Sequence, residues 1–153
     1  MPTGAALAAT VALVRKQGVS LGLLDTAARL RALALAWRCL PHQVALAESQ
    51  VNAALREFLT RGGAFLRIDH VELRRWLVDE GWLSRDGFGR EYRAPGLEAL
   101  PAPCRDAALP LVELDVNQWV MGLRAQAKAE AQRRRAAWTE RQHNDDCAAG
   151  SAA

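Results

Sequence analysis

The sequence predicts a mainly α-helical protein of the α+β class, and three observations lead to this prediction. Half of the 153 residues are hydrophobic, and many of these are alanine, which favours helices. Apolar residues recur at helical spacing in several segments that begin at a capping residue and end at glycine or proline. Two short runs, 82–85 and 90–93, flank a turn at 86–89 that contains two glycines, a pattern that indicates a β-hairpin.

Three helices are expected in the first part of the chain. One lies within residues 1–20, where leucine and valine side chains share a face. The second begins after the capping residue Asp25 and ends before Pro41, because proline forces the preceding residue out of the helical region. The third covers about 48–59 and ends before two consecutive glycines. The connector between the second and third helices has room for a very short strand at 44–46.

A fourth helix leads directly into the hairpin. Asp69 is a good N-cap, and Glu72 three residues later completes most of a capping box. Gly81 is placed to end the helix, because glycine accepts the left-handed conformation that follows a last turn. The order helix, turn, helix, hairpin is typical of winged helix-turn-helix proteins. We therefore predict a winged-helix-like domain over residues 21–94, with the hairpin as its wing.

Three segments are expected after the hairpin. Four prolines in residues 95–112 predict a linker or an irregular strap packed on the domain. A long helix over 113–143 follows, and apolar residues within 114–123 give its first turns a face that could dock on the domain or form a dimer seam. The final residues, 144–153, are expected to be a disordered tail.

Composition limits the classes of function and location. The net charge of +3 is mildly basic, which is compatible with nucleic-acid binding but does not demand it. The three cysteines are far apart and match neither a zinc site nor a disulfide framework, so reduced thiols in the cytoplasm are expected. The apolar N-terminal run is too short to span a bilayer and precedes its basic residues, so no signal peptide and no membrane contact are predicted.

No pattern indicates an enzyme. The three histidines lie on different segments without metal-ligand spacing. The glycine pairs lack the strand–loop–helix context of a phosphate-binding loop. The sequence therefore predicts no catalytic residue, no cofactor and no metal.

Five arginines are candidate nucleic-acid contacts: Arg74, Arg75, Arg85, Arg90 and Arg93. The first two lie on the fourth helix, which would enter the major groove of DNA. The other three lie on the hairpin, which as a wing could contact a minor groove or the phosphate backbone. Most of these contacts would be to phosphates.

Ion pairs within the protein are the structural alternative for three of the five arginines: Arg75 with Asp79, Arg74 with Glu48 or Glu57, and Arg85 with Asp79 or Glu80. The exposed face of the fourth helix is also mixed in charge, whereas helices that read a DNA groove are usually dominated by basic and amide side chains. Both interpretations are open at this point.

A family pattern runs through the third helix, the fourth helix and the hairpin: Glu48, Val51-Asn52, Leu55, Asp69, Leu73-Arg74-Arg75, Leu77-Val78-Asp79, Gly81, Leu83, Arg85, Gly89 and Tyr92. These residues resemble bacterial domain-of-unknown-function family 2087 over about residues 25–94. The resemblance implies a winged-helix-like domain of the kind that often accompanies bacterial helix-turn-helix regulators, and it implies no catalytic activity. The chain departs from the pattern at Ala47, where the family usually has a serine or threonine cap, and at Gln50, where it usually has glutamate.

Two functions are expected from these observations. The first is a cytoplasmic winged-helix protein that binds double-stranded DNA as a dimer in transcriptional regulation. The second is a winged-helix module that binds a protein partner or a second copy, with the long C-terminal helix supplying the interface. The mixed charge on the fourth helix favours the second function, and the common use of the fold favours the first.

Overall fold

The α+β class is confirmed by a computed structural model, which describes residues 3–150. The helices of this part of the chain are α1 (Thr3–Val14), α2 (Thr26–Arg38), α3 (Glu48–Thr60), α4 (His70–Asp79), α5 (Ala102–Ala108) and α6 (Val116–Gly150). The strands are β1 (Leu46–Ala47), β2 (Ser84–Arg85) and β3 (Glu91–Arg93). Short 3-10 turns at 21–23, 97–99 and 109–111 connect them.

The predicted helix boundaries are confirmed where capping residues set them. The Asp25 carboxylate accepts a hydrogen bond from the Ala28 N–H at 2.8 Å and starts α2. The Asp69 carboxylate accepts one from the Glu72 N–H, also at 2.8 Å, and starts α4. Gly81 has φ +86° and follows the last turn of α4, as the sequence predicts.

The start of α3 keeps half of a capping box. Ala47 has no side-chain acceptor, so no cap of the serine or threonine type exists there. The Gln50 side chain reaches back and accepts a hydrogen bond from the Ala47 N–H at 2.8 Å. Glutamine thus makes the backward bond of a capping box, a bond that either glutamine or glutamate can make.

The three strands form one antiparallel sheet in the order β1-β3-β2. The hairpin of β2 and β3 is confirmed, with Arg85 opposite Tyr92. The short strand expected near 44–46 is present as β1, and its Leu46 also lies opposite Tyr92. Tyr92 is buried, so the face of the sheet that carries Tyr92 and Arg85 turns toward the helices.

One hydrophobic core holds these elements together. Its largest fully buried side chains include Trp37 of α2, Phe58 of α3 and Trp82, which precedes β2. The rings of Trp37 and Trp82 lie 6.0 Å apart. α4 adds Leu73 and Leu77, both with no exposed surface. The core therefore fixes α4 against the hairpin.

Residues 95–112 pack into the core, which agrees with the strap alternative, but they are not irregular because they contain α5. Leu100, Cys104, Ala108 and Leu111 are all buried. Pro103 lies in the first turn of α5, where the missing N–H would have no helical partner in any case. The prolines of this segment begin a helix here instead of preventing one.

The first turns of α6 dock on the domain, which is one of the two arrangements predicted for this helix. Val116 and Val120 are buried, and Trp119 and Leu123 pack against the core. This contact occupies the face that was the alternative dimer seam.

The end of α6 differs from the prediction. Residues 144–150 were expected to be a disordered tail, but α6 continues through them, because alanines near its end favour helix. Residues 151–153 of that tail lie outside the described residues.

Candidate nucleic-acid interface

A groove of about 370 Å³ lies where α4 meets the sheet. Its lining residues come from one side of α4 and from the neighbouring strands: Arg74, Arg75, Val78, Asp79, Arg85 and Tyr92. Three arginines therefore face one aspartate. The structure brings together three of the five predicted contact residues, and it does so because Arg85 shares the inward sheet face with Tyr92.

Arg74 is held inside the protein by three groups. Its Nη1 atom lies 3.3 Å from a carboxylate oxygen of Glu48 and also donates a hydrogen bond to the amide oxygen of Asn52. Its guanidinium carbon lies 5.7 Å from the centre of the Tyr92 ring. Only 14% of the side chain is exposed. The predicted pair with Glu48 is confirmed, and Arg74 is a positioning residue that joins α4 to α3 and the sheet.

Arg75 and Arg85 are the exposed cations of the groove. Within residues 3–150 neither side chain has an ion pair or hydrogen bond, so the alternative pairings with Asp79 and Glu80 do not form. Glu80 instead lies 3.8 Å from Arg29. Two guanidinium groups are therefore open to an anionic ligand, and Asp79 is the carboxylate that opposes it.

Arg90 lies at the tip of the hairpin, outside the groove. Its backbone N–H donates to the Asp86 carboxylate at 2.9 Å, while its side chain points into solvent. Hydrogen bonds from backbone N–H groups, that of Arg90 foremost, lower the pKa of Asp86 below its ordinary value. Phe88 at the same tip is 86% exposed. The tip thus combines one exposed cation with one exposed aromatic ring.

Arg93 lies on the outward face of β3 and holds the loop before β1. Its Nη1 donates to the backbone carbonyl of Gln43 at 3.0 Å. Gln43 has φ +62°, a left-handed conformation that is unusual for glutamine, so this bond supports a strained position. Arg93 is therefore partly committed to the fold.

A second basic depression, not predicted from the sequence, lies between the end of α1 and the middle of α6. It has a volume of about 410 Å³ and carries the cations Arg15, Arg124 and Lys128. Arg124 donates to the carbonyls of Val14 and Lys16 at 2.9 and 2.8 Å, which satisfies the end of α1. Only the fold brings these residues together, because more than one hundred positions separate them.

Within residues 3–150 no group of three or more histidine, cysteine or acidic residues is arranged to hold a metal ion. Burial raises the pKa of the Cys39 thiol to about 12 and raises the pKa of Cys104, so both are protonated at neutral pH and weak as nucleophiles. In the same part of the chain, no helix combines the length and apolar character needed to cross a bilayer.

Comparison with known proteins assigns the chain to a family. Neither curated proteins nor solved structures gave a significant match. A profile of a family described as uncharacterized protein conserved in bacteria matches residues 12–94, which is more than half of the chain. The match includes the segment 25–94 on which the resemblance was recognised and extends it into α1. The chain therefore belongs to this bacterial family, domain-of-unknown-function family 2087.

Proposed function

We propose that the protein binds double-stranded DNA through the α4 groove and the hairpin and acts in transcriptional regulation. The observation that carries this proposal is that Arg75 and Arg85 place two exposed guanidinium groups in one groove, neither of them paired with another group within residues 3–150. Phosphate oxygens are suitable ligands for such a pair, because arginine binds them with charge-assisted and often bidentate hydrogen bonds.

The arrangement of the elements supports a winged-helix interpretation of the domain. α3 ends at Thr60 and α4 begins at His70, so residues 61–69 connect the two helices, and the hairpin follows α4 directly. In proteins of this kind the second helix approaches the major groove and the hairpin contacts the adjacent backbone. α4 takes the first role here and the hairpin takes the second, so Arg75 and Arg90 lie on the two parts that face DNA.

The five arginines divide their tasks in this proposal. Arg75, Arg85 and Arg90 contact phosphates, while Arg74 and Arg93 hold the elements that carry them. Three phosphate contacts give a slope of about −2.7 for the logarithm of the binding constant against the logarithm of salt concentration. Binding of this kind is weakly selective in sequence, because phosphate contacts position a protein without reading bases.

The test is fluorescence anisotropy with a labelled mixed-sequence duplex at about 50 and 200 mM salt. We expect Arg75→Ala/Arg85→Ala to weaken binding by about a hundredfold, because each of the two charged contacts contributes about 1.4 kcal/mol and every 1.4 kcal/mol is a factor of ten. We expect Asp79→Asn to strengthen it, because that change removes the carboxylate opposing phosphate. Arg31→Ala/Arg67→Ala removes the same charge outside the groove and serves as the matched control.

Two outcomes would contradict DNA binding through this groove. One is the absence of binding at the lower salt concentration. The other is an equal effect of the groove variant and the Arg31→Ala/Arg67→Ala control, which would mean that only net charge matters.

The alternative function is a protein-interaction module that does not bind DNA. The exposed rings of Phe88 and Trp138, at 86% and 59%, favour this alternative because large aromatic side chains are typical of interface centres. Absence of DNA binding together with self-association of the chain would favour the module.

A further inference from the structure

The last part of α6 extends away from the rest of the molecule. Every residue in 132–150 is exposed. At a rise of about 1.5 Å per residue, this segment is about 28 Å long. Most helical stability in proteins comes from packing of one face, so a contact along one face would stabilise this segment.

One face of this extension has the spacing of a helix-pairing seam. Ala131, Arg134, Trp138, Arg141 and Asp145 follow one another at alternating intervals of three and four residues. Trp138 lies in a shallow groove with the arginines of this face around it and is 59% exposed. The seam contains both signs of charge, with the basic residues before the acidic one.

This face continues the one that docks α6 on its own domain. Arg124 binds the carbonyls at the end of α1, and Ala131 lies seven residues later on the same side of the helix. Trp138 and Asp145 follow at the same interval. The docking stripe therefore runs past the point where the domain ends.

We propose that the α6 extension pairs with the same segment of a second copy in antiparallel orientation. With the centre between Thr139 and Glu140, Trp138 faces the partner's Arg141 and Arg134 faces the partner's Asp145. The first contact places a cation over an indole ring, and the second is an ion pair. Two-fold symmetry makes each contact twice, as in an isologous dimer.

The distribution of charge selects this arrangement. A parallel pair in register would place Arg134 beside Arg134 and Asp145 beside Asp145, and like charges at a seam repel. A nucleic-acid backbone would be repelled by Asp145 and Asp146. Only the antiparallel pair uses the basic and the acidic ends of the segment together.

The proposed register also leaves room for the two domains. Residues 132–147 of each copy overlap over about 24 Å, given a rise of about 1.5 Å per residue. The two domains then lie at opposite ends of the pair. The pairing is independent of DNA binding, because it uses none of the arginines of the α4 groove.

Charge reversal in the full chain tests the pairing by analytical ultracentrifugation. We expect Arg134→Glu alone and Asp145→Arg alone to weaken self-association at least tenfold. In each variant, residue 134 of one copy and residue 145 of the other carry like charges, and the symmetric pair contains this repulsive contact twice. A mixture of the two variants should recover association as a heterodimer, because both contacts are then between opposite charges. Arg133→Glu is the control, because it makes the same charge reversal about 100° around the helix and outside the seam. It should leave the self-association constant within about twofold of the wild-type value.

The outcomes are decisive in either direction. Recovery in the mixture, with little effect of Arg133→Glu, supports the antiparallel pair. A wild-type chain that is monomeric at about 100 µM, a concentration well above the Kd of a specific complex, would overturn it. Self-association that neither single variant weakens, or that the mixture does not restore, would overturn it as well. Helix content measured by circular dichroism checks that each variant remains folded.

Discussion

At the scale of single residues, two neighbouring arginines of α4 have different roles. Arg74 is tied to Glu48, Asn52 and Tyr92, whereas Arg75 has no partner among residues 3–150. The two side chains point in different directions because successive helical residues are about 100° apart. A sequence that reads Arg-Arg therefore supplies one residue to the fold and one to the surface.

This division predicts different effects on stability. Arg74→Ala is expected to lower the free energy of unfolding by about 1–2 kcal/mol, because it leaves the Asn52 amide without its donor and loses an ion pair whose Glu48 side chain is half exposed. Arg75→Ala is expected to change it by less than about 0.5 kcal/mol. Urea unfolding measures both. Equal losses in the two variants would contradict the assignment of Arg74 as the positioning residue.

His42 makes the fold sensitive to mild acid. Its ring stacks on Trp37 with centroids 4.0 Å apart, and its Nε2 lies 2.8 Å from the Trp37 carbonyl oxygen, to which the N–H donates. Burial is the main cause that lowers the pKa of His42 below its ordinary value of 6.5. The neighbouring Arg38 lowers it further, and the hydrogen bond to the carbonyl acts in the opposite direction. The folded protein therefore holds this imidazole in its neutral form.

The free energy of unfolding should consequently fall as the pH decreases below 6.5. In this range the unfolded chain binds a proton at His42 more readily than the folded chain, so the stability that is complete above pH 6.5 is lost as the pH falls through the lowered pKa. Urea unfolding of the wild type and of His42→Gln between pH 7.5 and 5 measures this effect. The variant should lose less stability than the wild type, and parallel curves would contradict the prediction.

At the scale of elements, α5 and its flanking turns complete the core. The Trp37 indole donates to the Pro95 carbonyl at 3.0 Å, and the Cys104 thiol donates to the Glu80 carbonyl at 3.6 Å. The turn between α3 and α4 is joined to α6 by the Gly62 N–H, which donates to the Asn117 side chain at 2.9 Å. Elements outside the matched region 12–94 therefore hold those inside it.

Truncation tests this dependence. A chain that ends at Ala94 should lose its cooperative thermal unfolding transition, because the buried indole of Trp37 loses its acceptor and the contacts of Leu100 and Leu111 with the core are lost. A chain that ends at Ala131 should keep a midpoint within a few degrees of the full chain, since all of the removed residues in 132–150 are exposed. Cooperative unfolding of the shorter chain at an unchanged midpoint would show that α5 is dispensable.

At the scale of the whole molecule, two charged surfaces lie on separate elements. The α4 groove presents exposed cations on elements that the core holds in place, and the α6 extension presents both signs of charge on an exposed helix. The net charge of +3 is the sum of the charges on both surfaces and the rest of the chain, so it does not show that the two surfaces differ. DNA binding and self-association are thus expected to respond to different substitutions, and either can fail without the other.

The sequence by itself determined the local structure of this protein. The caps at Asp25 and Asp69, the ending glycine at Gly81 and the hairpin turn act through bonds between residues a few positions apart, so they can be recognised without the fold. The family pattern could be recognised for a related reason, because its residues lie in one continuous segment.

Only the tertiary structure decided which charged groups are available. Arg74 meets Asn52 and Tyr92, and Arg93 meets Gln43, because α3, α4 and the sheet pack together. The role of 95–112 was decided in the same way, since proline permits either a linker or the first turn of a helix and burial selects between them. An ionic or apolar contact acts over a few ångströms, and separation along the chain does not reveal which side chains come that close.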